Sequence, residues 1–223
     1  MVEITIIGAG GIGSNLTTSI ASAISRGDLV SSLGGVKLFL MDSDTVEDRN
    51  LMMGQRFSKD DIGRHKVDCI RGGISEFESE LLEVIPISND VRERSDIPDS
   101  DIVVVCVDNM EARRVVHGMD CLWLDLRCSG DGYIAIDYRV NGDIVSSLTQ
   151  EQNLSGSCQL EGWESGFLQA GYLAASAHGF QWIIAALRKI AGYRSSILPS
   201  PRSSSVTFGK LGELPVSEVI EVE

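Results

Sequence analysis

"ITIIGAGGIGSNL", residues 4–16, is the stretch on which the reading of this chain turns. Four β-favouring residues, Ile4 to Ile7, run into Gly8, Gly10, Gly11 and Gly13, and a segment able to continue as helix comes directly after. A strand that bends sharply into a helix needs glycine where φ is positive and where a Cβ would block a ligand's approach. The first turn of that helix leaves backbone N–H groups unpaired and aimed at whatever sits there, which favours an anion. Gly8, Gly10 and Gly13 keep the spacing of the dinucleotide fingerprint, with Gly11 extra. These residues alone fit the pyrophosphate of a dinucleotide, the triphosphate of ATP, or a tight turn with no ligand.

Composition bounds the rest. At 223 residues the chain can bury a full core, and a single α/β domain over 1–223 is the simplest division. A hydrophobic content of 43% with 23% charged residues is that of an ordinary globular protein. No apolar run approaches the ~20 residues of a membrane span, and no basic, apolar leader precedes Ile4. Five cysteines without a CxxC pair do not read as a disulfide framework, so a reducing cytoplasm is expected, with no membrane partner. The formal charge of −13 argues against nucleic acid as a partner and requires any bound polyphosphate to be held by local positive groups.

Strand and helix signals then alternate. Val36 to Met41, Leu82 to Ser88, Asp101 to Val107 and Cys121 to Leu126 read as strands, the third being the clearest parallel type: continuous, β-branched and bounded by polar residues. Helical spacing is found over Ile62 to Leu82, Asn109 to Met119 and Phe167 to Ile190. Tyr133 to Val140 and Asp143 to Leu148 flank Asn141-Gly142, which predicts a hairpin there. A polar loop, Thr149 to Glu164, comes next, and strands are expected at Ser204 to Phe208 and Leu214 to Ile220. The expectation is a Rossmann-like, mostly parallel sheet with helices on both faces, finishing in an antiparallel hairpin. Residues 1–130 would form the nucleotide-binding core, and 131–223 the hairpin, crossover loop, long helix and terminal strands.

In a dinucleotide fold an acid at the end of the second strand takes the ribose hydroxyls, and Asp42 stands in that place. The residues after Asp42 point elsewhere. "MDSDTVEDRNLMMGQRFSKDDIGRHK", residues 41–66, is similar to the motif of the ubiquitin-activating superfamily, the ThiF, MoeB and HesA proteins: D-x-D-x-V-x-x-x-N-L-x-R-Q, a spacer, then D-[IV]-G-x-x-K. Asp42, Asp44, Val46, Asn50, Leu51, Asp61, Ile62, Gly63 and Lys66 fall in register without a gap. "CVDNMEAR", residues 106–113, resembles the same family's C-T-D-N-x-x-x-R. The likeness covers roughly residues 3–130, and its flavour is that of the short ThiF-like proteins of plasmid and phage gene clusters.

That resemblance implies ATP and Mg²⁺, and transfer of AMP to the C-terminal carboxylate of a ubiquitin-like or sulfur-carrier protein. It assigns the ribose to Asp42, the phosphates to Lys66, Mg²⁺ to Asp108, and orientation of the triphosphate to Asn50. Gly8, Gly10, Gly11, Gly13, Asp44, Arg56 and Asn109 fall among the nucleotide contacts. Alternatives within the superfamily are adenylation of a small-molecule or tRNA-base carboxylate, or a catalytically weak nucleotide-binding scaffold. Two departures bear on this. The family's arginine three residues after the asparagine is Met53, and the next residue is Gly54 rather than glutamine. The helix that supplies a second arginine in relatives has no counterpart before Ile4, so Arg49, Arg56 or a second subunit would have to provide the charge. The resemblance implies a homodimer or a heterodimer with a related subunit. Structural zinc on paired CxxC motifs is not expected. Cys158, in "SGSCQLEGWESG", lies where some relatives carry a thioester-forming cysteine; a following helix would lower its pKa, whereas Glu161 and Glu164 would raise it. Cys69, Cys106, Cys121 and Cys128 read as core residues, and His65, His117 and His178 carry no assignment.

Overall fold

The computed structural model describes residues 1–150 and 169–205. Its first strand, β1 (Val2–Ile7), buries Ile4 and Ile6 on one face and Thr5 and Ile7 on the other. A strand buried on both faces needs a layer of helices on each side. The parallel strands β2 (Val36–Met41), β3 (Leu82–Ile87) and β4 (Ile102–Val105) surround it, followed by β5 (Leu122–Ser129), β6 (Gly132–Asp137) and β7 (Arg202–Ser205). The sheet order is β3-β2-β1-β4-β5-β6-β7. Pairing is parallel through β5 and antiparallel from β5 to β7. Ile6 is in register with Leu40 on one side and Val104 on the other, so the ends of β1, β2 and β4 finish level.

Helix α1 (Gly11–Ile24) leaves β1 through the glycine turn, and a short α2 (Asp28–Ser32) returns the chain to β2. Helix α3 (Lys66–Ile74) and the long α6 (Gly171–Ile190) join α1 on one face, where Leu16, Ile20, Leu38, Leu40, Ile70 and Trp182 share a core. Helices α4 (Met110–His117) and α5 (Gly142–Gln150) cover the opposite face over Val103, Val105, Trp123 and Ile136. Each such side chain removed from water contributes roughly 1.5–3 kcal/mol. The α/β sheet with helices on both faces and an antiparallel finish is the expected one.

The glycine turn is as tight as its sequence suggests. Gly8 has φ of 105°, and a Cβ on Gly13 would lie 1.7 Å from the Gly8 carbonyl oxygen. The start of α1 therefore packs directly on the turn it leaves.

The hairpin is displaced from its expected position. It joins β5 to β6 through Gly130-Asp131, with Ser129 paired to Gly132 and Gly130 at φ 56°. A left-handed glycine in the first central position suits a two-residue hairpin turn. Asn141-Gly142 instead opens α5: the Asn141 Oδ1 accepts from the Asp143 N–H at 2.8 Å, the bond of a helix start. Thr149, expected in a loop, belongs to α5. The helix read over Ile62 to Leu82 shortens to α3, followed by a 3-10 turn at Ser75–Phe77. Among the cysteines, Cys69 is buried, but Cys106, Cys121 and Cys128 are only half-buried. The expected strand at Leu214 to Ile220 and Cys158 lie outside the described residues. Among the described residues no helix is long and apolar enough to cross a membrane.

Candidate functional site

The level ends of β1, β2 and β4 open into a cleft of about 620 Å³. Ligands of open α/β sheets bind at such strand ends, where neighbouring connections leave in opposite directions. Gly8, Gly10 and Gly11 form its floor, and α1 points its first turn into it. That helix has no side-chain cap and no acid in its first turn, so its leading N–H groups and positive dipole end face the cleft unopposed. A Cβ on Gly10 would meet nothing within 4 Å, which leaves the backbone open to close approach.

Asp42 follows β2 directly. Its Oδ2 accepts from the Ala9 N–H at 2.6 Å and its Oδ1 from the Asp44 N–H at 2.8 Å. Burial raises its pKa above the ordinary carboxylate value, against the lowering pull of Lys66 and these two N–H groups. Each oxygen keeps lone pairs for further donors, and hydroxyl donors would stabilise the charged form. Lys66 starts α3 with only 8% of its surface exposed, its Nζ 2.7 Å from the Asp44 carboxylate. A buried ammonium facing a cleft with one exposed partner is placed to share a phosphate. Asn50 is buried at the end of a 3-10 turn, where its Oδ1 accepts from the Glu47 N–H at 2.7 Å in a capping box. That bond leaves its amide NH₂ to donate.

Asp108 stands in the loop after β4, exposed and lining the cleft; among the described residues it makes no hydrogen bond or ion pair. Asn109 beside it caps α4, its Oδ1 accepting from the Glu111 N–H at 2.7 Å. Among the described residues no three acids, histidines or cysteines converge on a metal position. Mg²⁺ does not require such a cage, because it binds through one or two carboxylates plus substrate phosphates. An unpartnered carboxylate facing an uncapped helix start across a polar cleft fits that pattern.

Most of the residues singled out in the sequence thus converge. Gly8, Gly10, Gly11, Asp42, Asp44, Asn50, Lys66, Asp108 and Asn109 line one cleft. Gly13 lies behind it as a packing residue. Arg56 does not line it: this residue borders a neighbouring groove of about 560 Å³ between α1 and α3, its Nε donating to the Asn15 Oδ1 at 2.8 Å. Arg49 does reach the cleft, with its Nε 2.6 Å from Glu47. Met53 lines the cleft as well, and Gly54 has room for no side chain, since its Cβ would lie 2.1 Å from the Tyr172 hydroxyl. Asn89, Asp90 and Val91, after β3, are lining residues that sequence reasoning did not single out. Their position at a strand's carboxyl end is the signal that marks them.

A second polar cluster lies beneath the Asp108 loop. Asp125 on β5 is fully buried; its Oδ1 accepts from Arg113, and its Oδ2 from Arg127 at 2.7 Å and from His117 at 3.0 Å. Burial, reinforced by Arg127 and Arg113, pushes the His117 pKa down to about 4, so its contact to Asp125 is a hydrogen bond from a neutral ring. Arg113 also donates to the carbonyl of Val107, the residue before Asp108.

Several solved structures share this fold. E. coli MccB with ATP aligns over 94% of the chain and 62% of its own, with a TM-score of 0.63 and 19% identity. The microcin C7 biosynthetic enzyme MccB in complex with N-formylated MccA gives the same TM-score, 0.63, at 18% identity. PaaA aligns over 92% of the chain and 73% of its own, with a TM-score of 0.60 and 15% identity. The chain thus spans under two thirds of the MccB chain. In sequence it is 27% identical over 126 residues to the NEDD8-activating enzyme E1 catalytic subunit of Arabidopsis thaliana, covering 56% of the chain and a quarter (25%) of that protein. The ThiF family profile matches residues 1–129, which contain β1 to β5 and every element that builds the cleft: this chain belongs to the ThiF family.

Proposed function

We propose that this chain uses ATP and Mg²⁺ to adenylate a C-terminal carboxylate on a ubiquitin-like or sulfur-carrier protein. The observation that carries the reading is the joint placement of Asp42, Lys66 and Asp108 around one cleft at the uncapped start of α1. In the reaction a carboxylate oxygen attacks the α-phosphorus. A new P–O bond forms, the bond to the β-phosphate breaks, and pyrophosphate leaves. The protein's part is positioning and charge neutralisation. Asp42 accepts the ribose hydroxyls, the glycine turn and α1 amides receive phosphate oxygens, and Lys66 shares its ammonium between Asp44 and a phosphate. The Asn50 amide donates to the triphosphate. Asp108 would hold Mg²⁺, which would supply charge neutralisation for the departing pyrophosphate. Met53 adds no charge, so Arg49, or a subunit paired with this chain as homodimer or heterodimer, completes the neutralisation. Cys158, if it acts, acts after adenylation, because no thiol is needed to hold carboxylate, nucleotide and metal in line. The expected setting is the cytoplasm.

A second reading has its own support: MccB, solved with the MccA peptide, has the same fold, and a peptide end presents equivalent chemistry. ATP–pyrophosphate exchange separates these readings. The assay is run with a ubiquitin-fold protein ending in Gly-Gly, with a short peptide, and with no acceptor. Exchange driven by the first supports the proposal, and exchange driven only by the peptide replaces the substrate class. Absence of exchange with retained MgATP binding makes the chain a nucleotide-binding scaffold. Thermal stabilisation by NAD equal to that by MgATP would overturn the nucleotide assignment.

A further inference from the structure

We infer that Arg113 is a positioning residue for the metal-binding loop, holding Asp108 through the Val107 carbonyl and anchored by the buried Asp125. The inference rests on the adenylation reading for the role of Asp108. Its geometry is independent of that reading.

Asp108 has no partner of its own among the described residues, and its side chain is exposed. Its place must therefore be set by backbone. The loop Cys106–Asn109 is held along its length, with the Cys106 thiol also against the Ile7 and Gly8 carbonyls. The Cys106 N–H donates to the Ile7 carbonyl at 2.8 Å, Asn109 caps α4, and between them Arg113 donates to the Val107 carbonyl. Arg113 is 4% exposed and belongs to α4, one turn beyond the cap. A further contact, to the Asp125 Oδ1, fixes the guanidinium from the sheet side. A planar fork that bridges a carboxylate and a carbonyl fixes direction as well as distance, which a flexible ammonium does not.

Asp125 is more heavily served than one ion pair requires. Arg127 donates to its Oδ2 from Nε at 3.1 Å and from a terminal nitrogen at 2.7 Å, and His117 adds a third bond. The other arm of Arg127 reaches the Leu148 carbonyl at 2.8 Å, near the end of α5. The same carboxylate thus anchors two arginines with different destinations: Arg113 toward the cleft, Arg127 toward α5. This gives a matched pair of substitutions. Arg113→Met leaves Oδ2 with both of its donors but removes the donor to Val107. Arg127→Met disturbs the same buried carboxylate and leaves the Val107 bond in place.

Outer partners that orient a metal ligand typically contribute about 10–100-fold in metal affinity. In Arg113→Met, the Mg²⁺ concentration giving half-maximal enhancement of ATP binding should therefore rise about tenfold. Affinity for ATP without metal, set by Asp42, Lys66 and the α1 amides, should stay unchanged. Amide hydrogen exchange at residues 106–109 should accelerate in Arg113→Met and not in Arg127→Met, with or without nucleotide. Arg113→Lys, which keeps the charge and donors but lacks the planar fork that spans both acceptors, should recover part of the Mg²⁺ response. A merely structural role for Arg113 predicts lowered thermal stability in both methionine variants, with equal Mg²⁺ dependence and equal exchange at 106–109; that result overturns the inference. Wild-type protein that exchanges as expected but shows no Mg²⁺-dependent ATP binding overturns the adenylation reading instead, and the metal role of Arg113 falls with it.

Discussion

Two sets of aspartates divide this molecule. At the ends of β2 and β4, Asp42 and Asp108 have few protein donors: two backbone N–H groups for the first and, among the described residues, none for the second. On β5 and β6, Asp125 and Asp137 are saturated. Asp125 takes two arginines and a histidine, and Asp137 takes Arg139 and the Trp182 indole at 2.8 Å. A buried carboxylate needs donors to remain charged, and these two find them inside the protein. Asp42 finds only two backbone donors and the exposed Asp108 none among the described residues, so lone pairs remain available to a ligand. The same residue type is structural in one half of the sheet and open to chemistry in the other.

Asp108→Ala tests the open set most severely. Pyrophosphate exchange should fall by about a thousandfold or more, several kcal/mol of barrier, with the melting temperature unchanged. Exchange that survives at saturating Mg²⁺ would remove Asp108 from the site. Asp125→Ala should do the reverse, costing about 3 kcal/mol or more of folding stability by stranding the buried Arg113 guanidinium and the half-buried Arg127. A folded Asp125→Ala protein of wild-type stability would erase the contrast. Lys66→Ala should weaken ATP affinity by about 10–100-fold, or 1.4–2.8 kcal/mol, as judged by calorimetry. Its effect should fall more on binding than on turnover, because the phosphate contact exists before and during reaction.

Acid should act on the saturated half first. His117 and His178 both have pKa values lowered to about 4, chiefly by burial. Above pH 6.5 each is neutral folded and unfolded. Between 6.5 and 4 the unfolded chain binds a proton that the folded one refuses, so stability falls as pH falls, by about 1.4 kcal/mol per pH unit for each. His117→Gln should remove one of the two contributions. Urea denaturation at pH 6.5 and 5.0 reads the difference, and an unchanged slope in the variant would mean that His117 is already protonated in the fold.

Legibility followed the same division. Buried parallel strands are continuous apolar runs with polar ends, which is why Val36 to Met41 was readable to the residue. Among the cleft residues, the glycines and Asp42 are legible from the strand-to-helix turn and the strand end, whereas Asn50, Lys66 and Asp108 are singled out by the family resemblance. Arg113 is visible in the sequence as the last residue of the Cys106–Arg113 motif, without a role, and Asp125 only as a residue type. Their meaning depends on α4 lying over β5, and no spacing along the chain expresses that contact. Arg56 was misplaced for the same reason: adjacency in sequence to Met53 did not decide which side of α1 it would take. The β5–β6 turn had a signal of its own in Ser129-Gly130-Asp131-Gly132, but Asn141-Gly142 carried the stronger one. Asparagine followed by glycine suits a hairpin turn, and asparagine also caps helices, so the dipeptide alone cannot choose.

Gly142→Ala distinguishes those two local structures by the sign of a small effect. In a hairpin of the type that Asn-Gly favours, both central residues take positive φ, and alanine at the second is strained. At the first position of α5 the backbone is ordinary: Gly142 is not among the glycines with positive φ, and a Cβ there would meet nothing within 4 Å. Alanine then limits the freedom of the unfolded chain and favours helix, which should stabilise the protein by about 0.4–1 kcal/mol. The cap bond from the Asp143 N–H to Asn141 is untouched by the change. Chemical denaturation is sensitive enough to read it. Destabilisation of similar size would place a turn at Asn141-Gly142, and the packing of α5 against α4, on which the Arg127 anchor at Leu148 depends, would fall with it.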